Sequence, residues 1–286
     1  MPELPEVETV VGDLRPQLSG RFIRSVWLTR DRAVLGRILR YPKDPSAFGG
    51  RLRDRRLERV ERRGKYIVMP LDRPLPDRAE ERLVVHLGMT GHLRVFEPEE
   101  AVVKHTHLRI GLEGGLELRF DDPRQFGRLL LGTETELILA GVLPRLGPEP
   151  LAAELTADDF SRLVRGRRRA IKAALLDQSF LAGVGNIYAD EACFEAGIRP
   201  GRRTDRLTLR ERRALYGAIR DVLEKSILAR GSSVINYVDG FGERGANQEN
   251  LAVYGRAGEP CLRCGTPLRS TRLAGRTTVY CRRCQR

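Results

Sequence analysis

The spacing of apolar residues changes twice along the chain and predicts three regions. In residues 4–18 the apolar side chains lie three or four positions apart: Leu4, Val7, Val10, Val11, Leu14 and Leu18. This spacing predicts an amphipathic helix, which tolerates Pro5 in its first turn. Between residues 22 and 131, short apolar runs alternate with Gly, Pro and charged residues, at 65–69, 83–87, 92–96, 116–120 and 127–131. Such runs predict the strands of a β-sandwich or barrel.

A segment rich in Pro and Gly, residues 143–150, predicts a linker after the strands. The helical spacing then returns. Thr156 and Asp159 predict a capping box, with Asp in place of the more common Glu. Apolar positions from Leu215 to Ile227 predict a long helix that ends near residue 231.

Two shorter helices are predicted between these elements, at residues 170–176 and 187–196, joined by the glycine-rich segment 183–186. A connection of this kind brings backbone N–H groups to a helix N-terminus, which is a site for phosphate. Nearby basic residues, among them Lys172, strengthen that interpretation. Residues 231–250 are rich in Gly, Ser and Asn and predict a flexible loop.

The net charge of the chain indicates the class of molecule that it binds. The 286 residues include 51 Lys and Arg against 38 Asp and Glu, a formal net charge of +13. Such an excess favours a polyanionic partner, most often nucleic acid, with a generally basic surface as the alternative. The chain lacks the run of roughly 18 apolar residues that a membrane span needs, and its acidic start does not resemble a signal peptide. We therefore expect a cytoplasmic protein with no membrane partner.

The cysteines indicate a metal site. Cys261-x-x-Cys264 and Cys281-x-x-Cys284 lie within the last 26 residues, a spacing typical of four-cysteine zinc sites. Two disulfides are the alternative, which a reducing compartment disfavours. Four thiolates leave no open coordination position, so we expect one structural Zn²⁺ per chain. Cys193 lies in an apolar helical context and is predicted to be a buried free thiol.

Two turns carry large side chains. Residues 88–91 present Met89, and residues 121–127 present Arg124 and Phe126. These side chains either fold back into the core or, in a DNA-binding protein, insert into a base stack as apolar wedges. An enzyme that acts on a base has to extrude it and fill the gap that it leaves.

The chain start carries a candidate nucleophile. Removal of Met1 would leave Pro2 with a free amine, whose pKa of about 8 lies well below the value of about 10.4 for Lys. Such an amine can attack a sugar carbon, with Glu3 and Glu6 beside it as proton donors. On residue type alone, Pro and Glu at a helix start are equally explained as capping chemistry.

Five segments together resemble the bacterial formamidopyrimidine-DNA glycosylase family: residues 2–9, 86–91, 122–127, 183–188 and the terminal cysteine pairs. The resemblance runs from residue 2 to the C-terminus, with the motifs in the family's order. It implies a DNA-repair enzyme that removes oxidised purines, 8-oxoguanine and formamidopyrimidines, from double-stranded DNA and also cleaves the strand at abasic sites. The related endonuclease VIII branch, for oxidised pyrimidines, departs at the fourth residue of this start.

The resemblance also implies the roles of individual residues. Pro2 would form a Schiff base with C1′, Glu3 would transfer protons and Lys65 would contact phosphate, ahead of β- and δ-elimination. Glu6 would lie at the lesion end of the pocket. The wedge set would be Met89, Arg124 and Phe126, with Arg124 facing the orphaned cytosine. Phosphates would be bound by His86, Asn186, Tyr254 and Arg276, and Lys172 would add to the basic DNA-binding face. Zinc would be bound by Cys261, Cys264, Cys281 and Cys284.

The fold class that the resemblance implies is α+β and multidomain. An N-terminal catalytic β-sandwich domain with flanking helices would span residues 2–133 and a linker 134–150. A helix–two-turn–helix domain would span 151–250, including a lesion loop at 231–250, and a zinc-finger hairpin 251–286. DNA would bind between the domains of a monomer, and the enzyme would be associated with the bacterial nucleoid.

Two positions depart from the family's pattern. Asn247 stands where relatives often carry an aromatic residue, and Thr277 where a smaller one is common. Two other hypotheses also stay open: a family member with a changed lesion preference, and a non-catalytic zinc-ribbon protein that binds DNA or RNA and would explain the charge and the cysteines. The second does not explain why an N-terminal Pro-Glu accompanies two wedge-bearing turns.

Overall fold

The computed structural model describes residues 1–73 and 79–286, which divide into two compact units. The first unit contains Met1–Pro144 together with Arg230–Gly245, and the second contains Arg145–Ala229 together with Ala246–Arg286. The sequence interpretation assigned residues 231–250 to the helical domain. Most of that segment instead packs within the first unit, because carboxylates of the N-terminal helix bind its backbone and side chains, as detailed below.

The first unit begins with helix α1 (Leu4–Leu18). Its remaining elements are β1 (Ile23–Leu28), α2 (Arg32–Ile38), β2 (Leu39–Tyr41), α3 (Pro45–Leu52), β3 (Glu61–Arg63), β4 (Tyr66–Pro70), β5 (Glu81–His86), β6 (His92–Phe96), β7 (Thr106–Leu112), β8 (Glu117–Asp121), β9 (Arg128–Thr133) and α4 (Glu134–Leu139). The strands form a four-stranded sheet in the order β1-β7-β8-β6 and a five-stranded sheet in the order β2-β9-β5-β4-β3.

One hydrophobic core joins both sheets and helix α1, which contributes Val7, Val11 and Leu14 to it. The apolar face predicted for residues 4–18 is therefore the buried face, and the helix has the predicted bounds. The five predicted strands correspond to β4, β5, β6, β8 and β9, each end within two residues of its expected position. The sequence pattern missed β1, β2, β3 and β7 because their alternation is short or masked by charged residues. The predicted sandwich is confirmed.

The second unit contains four helices: α5 (Ala157–Arg165), α6 (Ile171–Leu175), α7 (Asn186–Glu195) and α8 (Leu209–Leu228). Short 3₁₀ helices lie at Thr204–Arg206 and Asn247–Asn250, and strands β10 (Arg269–Leu273) and β11 (Arg276–Tyr280) form an antiparallel hairpin. Thr156 and Asp159 form the predicted capping box at the start of α5. Among the described residues, no helix has the length and apolar character that crossing a membrane requires.

Candidate functional site

Helix α1 begins at Leu4, two residues after Pro2, which is buried, whereas Met1 is 48% exposed. Glu3 caps the helix in a capping box with Glu6, and the Glu3 N–H donates to Glu6 Oε2 at 2.8 Å. Both carboxylates are buried. The sequence left capping and proton transfer as alternatives for Glu3, and the structure shows the capping contact at this residue, which directly follows Pro2 in the chain.

The other oxygen of Glu6 binds the segment Arg230–Gly245. Glu6 Oε1 accepts a hydrogen bond from the Ser232 N–H at 2.8 Å, and the Tyr237 hydroxyl donates to the Glu6 carbonyl at 3.3 Å. Burial, followed by the nearby Glu6 carboxylate, raises the pKa of Tyr237. Glu6 therefore connects the start of α1 to the segment that was predicted to form the lesion loop, residues 231–250.

A second carboxylate fixes the far side of the same segment. Asp13 Oδ2 accepts from the Gly240 N–H at 2.9 Å and from Arg230 Nη2 at 2.7 Å. A Cβ on Gly240 would lie 2.6 Å from the Asp13 Cβ, so only glycine allows this approach. The segment still exposes apolar side chains at its surface, Ile235 and Phe241.

Positive charge surrounds His86 at the end of β5. Burial, then the charges of Arg128, Lys65 and the chain's N-terminal amine, lower the pKa of His86 to about 4. Its Nδ1 accepts from the Gly88 N–H at 3.1 Å, so the neutral ring carries its proton on Nε2. Lys65 is buried in the turn between β3 and β4. Together these groups favour the binding of an anion, to which the neutral His86 ring would donate a hydrogen bond from Nε2.

Arg128 in this cluster was not identified from the sequence. It lies at the start of β9 and pairs in register with His86 on β5. The signal that could have revealed it is its position directly after the 122–127 motif, at the edge of a predicted strand.

The two wedge-bearing turns expose their large side chains. Met89 is 37% exposed and Phe126 is 52% exposed, so the alternative in which both plug the core is not what the structure shows. The Arg124 guanidinium lies over the Phe126 ring at 4.8 Å from its centroid. The three side chains of the predicted wedge set are thus carried on neighbouring turns of the first unit.

In the second unit, helices α6 and α7 are joined by a connection that Gln178 holds. Its Oε1 accepts from the Gly183 N–H at 2.9 Å, and its Nε2 donates to the Val184 carbonyl at 2.8 Å. Helix α7 then begins at Asn186, with Gly185 as its N-cap. The predicted helix N-terminus is present, and Gln178 is a residue in it that the sequence pattern did not reveal.

Lys172 corrects a prediction. It was expected on the basic DNA-binding face, but its side chain is 0% exposed. Lys172 Nζ contacts Asp190 Oδ1 at 2.7 Å and donates to the Thr277 carbonyl and to Thr278 Oγ1. A buried ammonium needs such partners because its desolvation is costly, so Lys172 joins helix α6 to the zinc hairpin rather than facing solvent.

The other residues of this unit that were expected to bind phosphate lie nearer its surface. Asn186 Nδ2 donates to the Thr277 carbonyl at 3.2 Å, and Thr277 thus contributes its backbone there, whatever its side chain. The Tyr254 N–H donates to Glu191 Oε1 at 2.8 Å. Arg276 is exposed and opens β11 after a two-residue turn in which Ala274 and Gly275 both have positive φ.

The four terminal cysteines form a metal-binding cluster. Their Sγ atoms all lie within 4.8 Å of one another, with Cys264 and Cys281 at 3.5 Å and Cys261 and Cys284 at 3.9 Å. A tetrahedral zinc site with Zn–S bonds of about 2.3 Å has S···S edges of roughly 3.8 Å, and a disulfide is only about 2.0 Å long. Hydrogen bonds from Thr266 lower the pKa of the Cys264 thiol to about 6. The cluster fits one structural Zn²⁺, and the zinc prediction is confirmed.

Cys193 is buried and does not belong to this cluster. Burial raises the pKa of its thiol, so it stays protonated and unreactive. The expected free thiol is present.

Pro2, Glu3, Glu6, Lys65, His86 and the wedge set all lie in the first unit. Asn186, Tyr254, Arg276 and the zinc cysteines lie in the second. Asn247, one of the two positions that depart from the family's pattern, is buried at the start of the Asn247–Asn250 3₁₀ helix.

Three family domains match the chain in order. The N-terminal domain of formamidopyrimidine-DNA glycosylase matches residues 1–129, its H2TH domain matches 146–237, and the zinc finger found in FPG and IleRS matches 258–286. Among curated proteins, the formamidopyrimidine-DNA glycosylase of Herpetosiphon aurantiacus is 44% identical over 100% of both chains. That of Geobacillus kaustophilus is 41% identical over 100% of both.

Solved structures agree with this match. The MutM (Fpg) protein of Thermus thermophilus has a TM-score of 0.84 and 40% identity, over 99% of this chain and 98% of its own. A Lactococcus lactis Fpg variant, solved in complex with DNA containing Fapy-dG, has a TM-score of 0.85 and 33% identity over 100% of both chains. By sequence along its whole length, by domain order and by fold, this chain belongs to the formamidopyrimidine-DNA glycosylase family.

Proposed function

We propose that the chain is a bifunctional DNA glycosylase and abasic-site lyase that removes oxidised purines, including 8-oxoguanine and formamidopyrimidines, from double-stranded DNA. The observation that supports this most is the positive cluster in the first unit: Arg128 pairs in register with His86, Lys65 is buried, and both, with the N-terminal amine of Met1, lower the pKa of His86. A site with this much positive charge beside a candidate amine nucleophile suits a phosphate-flanked sugar.

The proposed nucleophile is the imino nitrogen of Pro2 after Met1 is removed. Its lone pair attacks C1′, and the base leaves with the electrons of the C1′–N bond and takes up a proton. Glu3 protonates O4′ as the C1′–O4′ bond breaks, which leaves an iminium between Pro2 and C1′. Burial of Glu3 beside the chain start supports this role, because a positioned carboxylic acid transfers protons efficiently.

Strand cleavage follows from the same intermediate. The iminium acidifies the C2′ protons, so loss of one expels the 3′ phosphate by β-elimination, and a second proton loss expels the 5′ phosphate by δ-elimination. Lys65 and the Nε2–H of His86 bind the departing phosphates in this proposal. The lowered pKa of His86 keeps it neutral at physiological pH, so it contributes a hydrogen bond while Lys65 contributes charge.

The exposed wedge set supports action on a base within a duplex. Met89 and Phe126 would fill the gap in the stack, and Arg124 would face the orphaned cytosine. In the second unit, Asn186, Tyr254 and Arg276 would bind phosphates, with Arg276 held at the tip of the zinc hairpin. Zinc would be held by Cys261, Cys264, Cys281 and Cys284 and would supply structure only, since four thiolates close its coordination sphere.

The proposed domain boundaries are 2–133, 134–150, 151–250 and 251–286, with the 230–245 segment functioning beside the catalytic domain on which it packs. The proposed partner is duplex DNA with oxidised bases or abasic sites, bound by a monomer. Action on chromosomal DNA would bring the enzyme to the nucleoid.

Borohydride trapping tests the reaction. The chain is made with a cleavable N-terminal extension, so that the same preparation can be assayed before and after the extension is removed to leave Pro2 first. Incubation with 8-oxoguanine duplex and reductant should give a covalent adduct only after cleavage, and peptide mapping should place the adduct on Pro2.

The Glu3→Gln variant is compared with the original protein in the same experiment. It keeps the side-chain length and a capping oxygen but cannot donate a proton from a carboxyl group to O4′, so we expect formation of the trapped adduct from 8-oxoguanine duplex to fall by about 10²–10⁴-fold. The adduct with a preformed abasic site should persist. An adduct that forms with the extension in place, or that maps to Lys65, would overturn the proposal. Equal affinity for intact and damaged duplex with no adduct would support the non-catalytic binding protein.

A further inference from the structure

One buried carboxylate between the two wedge-bearing turns has no part in the reaction described above. Asp122 is 0% exposed and directly follows strand β8. Its Oδ1 accepts from Thr90 Oγ1 at 2.6 Å and from the Arg124 N–H at 3.2 Å, and its Oδ2 accepts from the Gly127 N–H at 2.7 Å. A single side chain thus binds one turn through Thr90 and the other through Arg124 and Gly127.

The backbone of Asp122 is itself fixed. Its N–H donates to the His105 carbonyl at 3.0 Å, and its carbonyl accepts from His107 Nε2 at 3.0 Å. His107 is buried as well. The Asp122 backbone is therefore anchored to the start of β7, which fixes the point from which its carboxylate reaches the two turns.

The two turns also touch through their backbones. Gly88 has φ +66°, and a Cβ on it would lie 2.6 Å from the Gly127 nitrogen and from the Phe126 carbonyl carbon. A Cβ on Gly127 would lie 2.3 Å from the Phe120 ring. The spacing of the turns is consequently set by contact on one side and by the Asp122 carboxylate on the other.

Each exposed side chain of the wedge set lies on or beside a residue that Asp122 binds. Met89 stands between Gly88 and Thr90, and Phe126 precedes Gly127. Arg124 donates its own N–H and places its guanidinium over the Phe126 ring. Without the carboxylate, two backbone N–H groups and a hydroxyl would lose their buried acceptor, which is costly enough to shift the turns.

We propose that Asp122 is a positioning residue that joins Met89, Arg124 and Phe126 into one rigid wedge. It thereby sets how well the enzyme opens the base stack and distinguishes the base opposite the lesion. The inference rests on the proposed function, because it concerns extrusion and leaves the chemistry at Pro2 unchanged.

The test compares two substrates that differ in their need for extrusion. Asp122→Asn keeps the shape and one oxygen but places an amide where a carboxylate oxygen now accepts an N–H. Excision of 8-oxoguanine from duplex should fall by about 10-fold or more, the effect expected from losing a charged hydrogen bond. Borohydride trapping on a single-stranded abasic oligonucleotide, which has no stack to open, should change less than about 2-fold.

Two further readouts would not respond to a general loss of stability. Fluorescence of a 2-aminopurine placed beside the lesion should rise on binding of the original protein and rise less with Asp122→Asn. The ratio of the excision rates measured with cytosine and with adenine opposite the lesion should move closer to one. Thr90→Val removes one of the hydrogen bonds and should show a smaller version of the same pattern, whereas Thr90→Ser keeps the hydroxyl and should behave as the original.

Asp121→Asn is the matched control. Asp121 is also buried, at the end of β8, and among the described residues its side chain accepts from Thr106 Oγ1 and Arg94 Nη2, which belong to strands β7 and β6 and not to the loops that carry the wedge. A loss for Asp122→Asn that is equal on both substrates, or the same split for Asp121→Asn, would overturn the inference alone. An original protein that forms no adduct would overturn the proposed function and this inference with it.

Discussion

His86 shows how one residue can carry a measurable pH dependence. Its pKa falls from 6.5 to about 4 on folding because the ring is buried beside Arg128, Lys65 and the N-terminal amine. The unfolded chain therefore binds a proton more readily than the native one in this interval. Its contribution to stability is complete above pH 6.5 and is lost as the pH falls towards 4.

We expect the free energy of unfolding to fall by roughly 3 kcal/mol from this residue between pH 6.5 and pH 4. Urea unfolding at a series of pH values should show the slope in the original protein and a shallower one in His86→Gln. The Nε2 proton should also be seen directly by ¹⁵N NMR of the imidazole at neutral pH. Identical slopes in the two proteins would contradict the assignment.

Local residue signals were predictable from the sequence, and partnerships across long separations were not. The capping pair Thr156 and Asp159 lie three positions apart, so their geometry follows from the helix itself. Lys172 was expected to face solvent because basic residues precede it, yet its partners Asp190 and Thr278 belong to other elements. A charge pattern along the chain does not show which lysine the tertiary structure buries.

At the scale of elements, the attachment of the 230–245 segment to helix α1 leads to a second prediction. Gly240→Ala should move the segment away from Asp13, because the added Cβ would lie 2.6 Å from the Asp13 Cβ. We expect a loss of about 1–3 kcal/mol in stability, typical of overpacking. Excision from lesion duplex should fall more than reaction with abasic sites, since the segment is proposed to cover the base.

Gly12→Ala is the control on the same helix. An added Cβ there meets nothing within 4 Å, and alanine favours a helix over glycine by roughly 0.5–1 kcal/mol. Thermal unfolding of both variants and of the original protein checks the prediction. A Gly240→Ala protein as stable and as active as Gly12→Ala would show that the close approach to Asp13 is unimportant.

The type and order of the longer elements could be predicted, because α1, α8 and the central strands each bury a continuous apolar face. The unit to which the 230–245 segment belongs could not be predicted, because it is decided by hydrogen bonds that Ser232 and Gly240 donate to Glu6 and Asp13, more than two hundred residues away in sequence. The same holds for the wedge. Its exposed residues stand out in the sequence, but the carboxylate that joins the two turns is one acidic residue among many.

For the molecule as a whole, zinc should be required by one unit only. The small core that contains Cys261 and Cys281 also includes Phe194 and Val279 and is separate from the core of the first unit. Chelation, or Cys261→Ser, should therefore unfold the β10–β11 hairpin and weaken DNA binding by about 10-fold or more, because Arg276 loses its support.

Zinc release measured with a colorimetric chelator, together with binding to an undamaged duplex at several salt concentrations, checks this prediction. The metal-free protein should lose part of the salt dependence, since fewer phosphates are contacted. Trapping on a single-stranded abasic oligonucleotide at saturating concentration should be retained, because Pro2 and Glu3 lie in the other unit. Full binding after complete zinc release would be inconsistent with the proposed role of the hairpin.

The two oxygens of Glu6 couple the 230–245 segment to the start of helix α1. One accepts from the Glu3 N–H at the helix start and the other from the Ser232 N–H. If the segment withdraws to admit a nucleotide, the buried Glu6 carboxylate loses the Ser232 donor, at a cost of about 1–3 kcal/mol. Opening of the segment and the hydrogen bonding of the helix start that follows Pro2 are then thermodynamically linked, because both depend on one carboxylate.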